Sequence, residues 1–223
     1  MNILTFDIET IPCQLPGIKE EFAQQVTAPA QYKKPESIAE WLRENRESEA
    51  ESQWLKTSFD GGMGQCIAIG YAVDDEPARC LYVEDTSREA EAAILSDFFS
   101  VVSEAGSGKK LVGHNIIGFD LPFLWKRAMV LNVKPPFFFP RNPKPWSDMV
   151  CDTMLMWDST QRAGGSMDRL CRLLGIPGKD GMDGSQVWPY FQAGRHQEIA
   201  SYCQGDVERT RAMYQRMSFS LAA

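Results

Sequence analysis

No uninterrupted apolar run in this 223-residue sequence approaches the roughly 20 residues that a helix needs to cross a bilayer. The start of the chain lacks both a basic leader region and an apolar one, because Asp7 and Glu9 interrupt it early. The expectation is a soluble, cytoplasmic chain with no membrane partner. None of the six cysteines (Cys13, Cys66, Cys80, Cys151, Cys171 and Cys203) stands in a C-x-x-C pair, and several sit inside apolar segments. That argues against zinc and disulfides and for buried free thiols of a reducing compartment. Positive charge is also scarce, 23 Lys and Arg against 30 Asp and Glu, for a net charge of -7. Nucleic-acid binding by global attraction is therefore disfavoured, whereas binding through metals and a local basic strip is not. There is no internal repeat and no low-complexity tract.

What is present is a 43% hydrophobic composition, enough for one large domain over residues 1–223 with its own core. Its organising stretch is Asn2-Ile3-Leu4-Thr5-Phe6-Asp7-Ile8-Glu9-Thr10. Leu4, Phe6 and Ile8 alternate with Ile3, Thr5, Asp7 and Glu9, so a strand places both acids on one face. Two carboxylates that close repel unless a cation sits between them, and a hard oxygen-loving ion such as Mg²⁺ or Mn²⁺ suits them.

Residues 11 to 64 read as a helical insertion. Ser37-Ile38-Ala39-Glu40 has the shape of a helix cap, and a charged run from Glu40 to Glu51 follows. Cys66–Val73 and Arg79–Val83 form a hairpin of strands. A helix opens near Thr86 or Ser87 and stops at Gly106. Lys110–His114 is a strand parallel to the first, since a helical crossover precedes it. The next helix starts around Asp120–Pro122, where Asp120 suits a cap. A proline-thick loop spans Lys134–Pro145, Met149–Cys151 is a short strand, Ser166 starts a helix that Gly175 ends, and a last helix covers 197–217. The result is an α/β fold, a ribonuclease-H-like mixed sheet flanked by helices.

Two further polar clusters follow the first. In Gly113-His114-Asn115-Ile116-Ile117-Gly118-Phe119-Asp120 a strand end delivers a polar pair, and a carboxylate follows at the mouth of a helix. In Tyr202-Cys203-Gln204-Gly205-Asp206 the i, i+4 spacing puts the phenol and the carboxylate on one helix face. Gly205 there costs on the order of 1 kcal/mol against alanine, which close approach of another backbone or a substrate would justify, unless the glycine is simply tolerated.

F-D-I-E-T, G-H-N-I-I-G-F-D-L-P-F-L and Y-C-Q-G-D together resemble the three motifs of the DEDD superfamily of 3′-to-5′ exonucleases, in the subgroup with tyrosine in the third motif (DEDDy). The middle motif looks most like the proofreading domain of B-family DNA polymerases, and most of the chain is similar to stand-alone predicted exonucleases related to it. The resemblance implies that Asp7, Glu9, Asp120 and Asp206 hold two divalent ions, Mg²⁺ or Mn²⁺, for two-metal-ion phosphodiester hydrolysis. It implies that Tyr202 orients the attacking water, its ordinary pKa near 10 making it a poor base. Thr10, Asn115 and Phe119 match positions that hold the terminal nucleotides in relatives. His114 stands where a tyrosine is common and reads as a substrate contact rather than a metal ligand. His196, the only other histidine, reads as structural. The implied substrate is the 3′ end of single-stranded nucleic acid, DNA favoured over RNA, with nucleoside 5′-monophosphates released. Since these 223 residues include no polymerase segment, the expected role is repair, end trimming or RNA turnover, with a replication or repair protein as partner.

Residues 109 to 145 carry Lys109, Lys110, Lys126, Arg127, Lys134, Arg141 and Lys144 against Asp120 alone, together with Phe137-Phe138-Phe139. This reads either as a single-strand channel beside the site or as a solvated surface with a buried aromatic anchor. Two rivals stand against the exonuclease. A haloacid-dehalogenase-type phosphatase would need a second aspartate where Glu9 stands. A catalytically idle ribonuclease-H-like module that binds nucleic acid or protein would have no need for four acids and Tyr202.

Overall fold

The computed structural model describes residues 2–158, 165–178 and 181–220. Five strands form one sheet: β1 (Ile3–Ile11), β2 (Gln65–Val73), β3 (Arg79–Tyr82), β4 (Lys110–Gly113) and β5 (Val150–Asp152). Their order across the sheet is β3-β2-β1-β4-β5. β2 runs antiparallel to both β1 and β3, whereas β4 is parallel to β1 and to β5. This is the ribonuclease-H-like mixed sheet expected from the sequence, with the acid-bearing strand at its centre.

β1 is covered on both faces, so seven of its nine residues are buried even though polar residues alternate with Phe6 and Ile8. Phe6 packs its ring 5.0 Å from that of Phe98 in α3 (Arg88–Ala105). The opposite face, which carries Asp7, meets Cys203 of α8 (His196–Met217). Leu4, Phe6, Ile69, Phe98, Leu121 and Leu124 are fully buried in the main core. Burying each such side chain contributes roughly 1.5 to 3 kcal/mol. A smaller cluster of Met167, Leu170 and Cys171 from α6 (Met167–Leu174) packs against Met213 of α8.

Helix ends follow local chemistry in part. Ser87 caps α3 by accepting the Ala90 amide, and Gly106, at φ 86°, ends it. The Ser37 cap does not form: α2 (Pro35–Lys56) begins two residues earlier, with Pro35 in its first turn and Lys34 before it. Proline supplies the fixed φ and lacks the amide that a cap would satisfy. A short helix ahead of it, α1 (Ile18–Gln25), has no counterpart in the sequence reading, and Lys19 ties it to Glu51 of α2 by an ion pair. A 3₁₀ turn at Thr57–Phe59 leads from α2 back to the sheet. α5 (Thr153–Asp158) and α7 (Val187–Gln192) are likewise unforeseen, being too short to show a period. On α8 the buried residues are Ile199, Ala200, Cys203, Asp206, Val207, Thr210 and Met213.

Much of the basic segment is engaged within the fold, as the second of its two readings expects. Among its cations, Arg127 is buried against Glu91, Lys109 pairs with Asp74, Lys126 pairs with Asp60, and Arg141 lies over the Trp125 ring. Phe139 is anchored in the core against Phe98 and Phe99. α4 (Asp120–Leu131) carries the chain away from the acids, and the following loop returns to the start of β5, at the opposite end of the parallel strands. These four cations are engaged within the fold and Phe139 is a buried aromatic anchor, while Lys134 and Lys144 stay exposed on the loop.

Candidate active site

Asp7 and Glu9 project from β1 where its pairing with β4 has already ended, since β4 meets only Ile3, Leu4 and Thr5. The amide of Ile8, between the two acids, donates instead to Asp120 Oδ1 at 3.2 Å. Asp120 is thus no side-chain cap of its helix. Phe119 precedes α4 without capping it, and Asp120 opens the first turn while its carboxylate reaches across to β1. Burial pushes the Asp120 carboxyl up to about 7, with the nearby Asp152 charge adding to the shift. Hydrogen bonds from its own amide and that of Ile8 oppose it without overcoming it.

The third motif arrives on α8, and Gly70 makes that approach feasible. Gly70 pairs with Asp7 across β1 and β2. A Cβ on it would lie 2.9 Å from both Cys203 Sγ and Val207 Cγ2 and 3.0 Å from the Cys203 carbonyl. With no side chain in the way, the helix backbone settles onto the sheet, and the Gly70 amide donates to Cys203 Sγ at 3.2 Å. Oxygens of Asp7 and Glu9 and the Cys203 sulfur all fall within 4.8 Å of one another.

Tyr202 hydrogen-bonds the Asp206 carboxylate one turn further along α8. Burial, then the charges of Glu9, Asp206 and Asp7, hold its phenol far above the usual tyrosine value, so the group is a hydrogen-bond donor and no base. Asp206 also accepts from Arg209 Nη1 at 2.8 Å. That guanidinium lies over Gly205, where a Cβ would come within 2.7 Å of Nη1. The neighbour at Gly205 is therefore the side chain of an arginine of the same helix, not the second backbone or substrate expected there.

The turn between β4 and α4 is held by Asp152, which the sequence reading passed over. Asp152 Oδ1 accepts the Asn115 amide at 2.9 Å and that of Met154 at 3.0 Å, while Oδ2 accepts the Ile117 amide at 3.1 Å. Asn115 takes a left-handed φ of 60°, and its side chain fits only because Gly118 carries no Cβ, which would lie 2.4 Å from Asn115 Oδ1. His114 Nδ1 meets Thr153 Oγ1 at 2.9 Å. Thr10 Oγ1 donates to the Ser58 carbonyl at 2.7 Å. Phe119 is half-buried between the rings of Phe123 and Phe59. His196 packs edge-on against Phe191 at 4.8 Å, away from this group.

The structure thus gathers Asp7, Glu9, Tyr202 and Asp206 on one face of β1 and brings Asp120 to the adjoining backbone. Cys203 and Asp152 were missed. Cys203 sits inside the third motif and faces the sheet, which was a usable signal. Asp152 gave none, because it ends a three-residue strand too short to show a periodicity.

No curated protein matches the chain significantly. Among solved structures, the family B DNA polymerase from the hyperthermophilic archaeon Pyrobaculum calidifontis is similar, with a TM-score of 0.61 at 18% sequence identity. The match covers 97% of this chain and 24% of the polymerase, so the chain spans about a quarter of that protein and shares the fold of that part. No helix among the described residues is long and apolar enough to cross a membrane, and all six cysteines are free thiols. Residues 52–222 match the family model described as a predicted 3′-5′ exonuclease related to the exonuclease domain of PolB. With most of its length matched by that model, and with the acids of all three sequence motifs gathered around β1, the chain belongs to this family of predicted exonucleases.

Proposed function

We propose that the protein is a metal-dependent 3′-5′ exonuclease of the DEDDy type, acting as one unit over residues 1–223 with 11–64 as an insertion. Its substrate is single-stranded nucleic acid, DNA before RNA, and it releases nucleoside 5′-monophosphates. The observation that carries this reading is the convergence on β1 of acids from three separated stretches, two from the strand, one from α4 and one from α8.

The donor set fits divalent ions. Oxygens of Asp7 and Glu9 lie within 4.8 Å of each other, close enough to share one ion, and Asp120 is a buried carboxylate whose proton is favoured by desolvation and by the nearby Asp152 charge. Asp7, Glu9, Asp120 and Asp206 would hold two such ions, Mg²⁺ or Mn²⁺, which suit oxygen ligands. Bound there, they supply Lewis-acid stabilisation of the phosphodiester under attack. The protein's own groups position the reactants. Tyr202, protonated and with its one O–H held by Asp206, accepts from the incoming water through its phenol oxygen and orients it. Thr10, His114, Asn115 and Phe119 face the strand end as substrate contacts. Free thiols fit a reducing compartment such as the cytoplasm.

The test is digestion of 5′-labelled single-stranded DNA and RNA with Mn²⁺, Mg²⁺ or EDTA, beside Asp7→Ala. A ladder that shortens from the 3′ end, requires metal and is absent in Asp7→Ala supports the enzyme. No shortening of either polymer points to the idle module.

A further inference from the structure

The segment that leads out of α2 is docked rigidly against two motifs at once. Thr10, next to Glu9, donates to the Ser58 carbonyl at 2.7 Å, and the Cys13 amide donates to Thr57 Oγ1 at 2.8 Å. On the other side Asp60 pairs with Lys126 at 2.5 Å, and Arg127 Nη1 donates to the Gly61 carbonyl at 3.3 Å. Gly61 lies so close to α4 that a Cβ on it would come within 2.6 Å of the Phe123 carbonyl.

Between these anchors Phe59 points its ring outward. It is 72% exposed, and its only ring contact among the described residues is the edge of Phe119, at 6.3 Å between centroids. Phe119 immediately precedes Asp120, so this aromatic pair stands beside the acids. An exposed phenyl on a segment held this firmly has no packing role of its own.

On the far side of Phe59 a cleft of about 410 Å³ opens between α2 and α7. Thr10, Leu55, Ser58, Phe59 and Trp188 are among its walls, and Trp188 is fixed edge-on to Trp54 at 5.6 Å. Its volume falls within the roughly 300 to 1,000 Å³ of ordinary ligand sites. Glu51 in the lining is paired with Lys19, and Lys56 is the one other charged group among hydroxyls and apolar walls. Such a cleft suits an uncharged flat group rather than a phosphate.

We propose that this cleft is a nucleobase subsite, in which Phe59 stacks on the base at the 3′ end of the bound strand and so helps present the last phosphodiester to the acids. The inference rests on the exonuclease reading for the identity of the polymer. Stacking on an aromatic ring tolerates every base, which an enzyme trimming arbitrary ends requires.

The test uses a single-stranded oligonucleotide ending in 2-aminopurine through an uncleavable phosphonate linkage, with Mn²⁺ present. Wild type quenches the terminal base on binding. Phe59→Ala loses the quench and binds about 5- to 150-fold more weakly, while Phe59→Trp restores both. With an abasic 3′ end, wild type binds as weakly as Phe59→Ala, and Phe59→Ala loses nothing further. Unchanged affinity in Phe59→Ala, or an equal additional loss on the abasic end, overturns the subsite, as does wild type that fails to bind. If wild type binds with quenching yet leaves an ordinary oligonucleotide uncut in Mn²⁺, the exonuclease reading fails while the subsite stands.

Discussion

The amide of Ile8 donates to Asp120 Oδ1 at 3.2 Å across 112 residues of chain. The bond fills the place that β4 would occupy had it continued, so the second motif completes the hydrogen bonding of the first. It also buries Asp120 in surroundings that favour its proton.

A raised carboxyl pKa makes the fold most stable where the group is protonated. In EDTA the stability contribution is fully present below the unfolded value of 3.8 and is lost as pH rises through about 7. Asp120→Asn keeps the acceptor for Ile8 and removes the charge. Thermal melts in EDTA are therefore expected to show wild type losing up to a few kcal/mol between pH 4 and pH 8 relative to this variant. Parallel curves for the two proteins would refute that account. With metal restored, the variant is expected to have lost turnover.

Asp152 accepts three backbone amides and is buried, so its side chain replaces water for the whole turn that carries His114 and Asn115. Asp152→Ala is expected to cost about 2 to 4 kcal/mol, because the amides are left without acceptors. Urea denaturation measures this directly. A loss under about 0.5 kcal/mol, the size usual for an inconsequential surface change, would mean that the turn holds without Asp152.

Arg127 meets Glu91 through two hydrogen bonds, at 2.7 Å from Nε and 2.6 Å from Nη2, with both side chains almost wholly buried. Removing one partner strands a buried charge, so Arg127→Met is expected to cost about 3 to 5 kcal/mol. In the double variant Glu91→Gln, Arg127→Met the two losses should fall well short of adding. Glu91 also accepts the Cys66 amide at 2.8 Å, and glutamine retains an oxygen for that bond. Full additivity in a double-mutant cycle would deny the coupling.

Gly70→Ala introduces a methyl into the contact where α8 meets β2. Overpacking of this kind costs about 1 to 3 kcal/mol, and here it also shifts Tyr202 and Asp206 away from Asp7. Activity should therefore fall more than stability. Cys203→Ala in the same chain would relieve the sulfur contact but not the contact with the helix carbonyl, so recovery should be partial. Wild-type melting and turnover in Gly70→Ala would show that the helix can yield freely.

Much of this protein was determined by local sequence alone. The two-residue alternation of Leu4, Phe6 and Ile8 marks a strand with its acids on one face. Ser87 and Gly106 bound a helix, and the i, i+4 spacing of Tyr202 and Asp206 places them together. These features depend on dihedral preference, side-chain period and capping, each acting within a few residues, so their signal is written where they occur.

Contacts between distant segments were settled only by the tertiary structure. Nothing near Asp120 in the chain shows that its carboxylate serves the Ile8 amide rather than a helix cap. Nothing near Lys109, Lys126 or Arg127 shows that each is already paired with an acid 35, 66 or 36 positions away. Charge counted along the chain implied a basic strip, but charge in space is neutralised by whichever acids the fold brings opposite. The exposure of Phe59 beside the acids has the same origin, since it arises where the ends of β1 and α4 hold one segment between them.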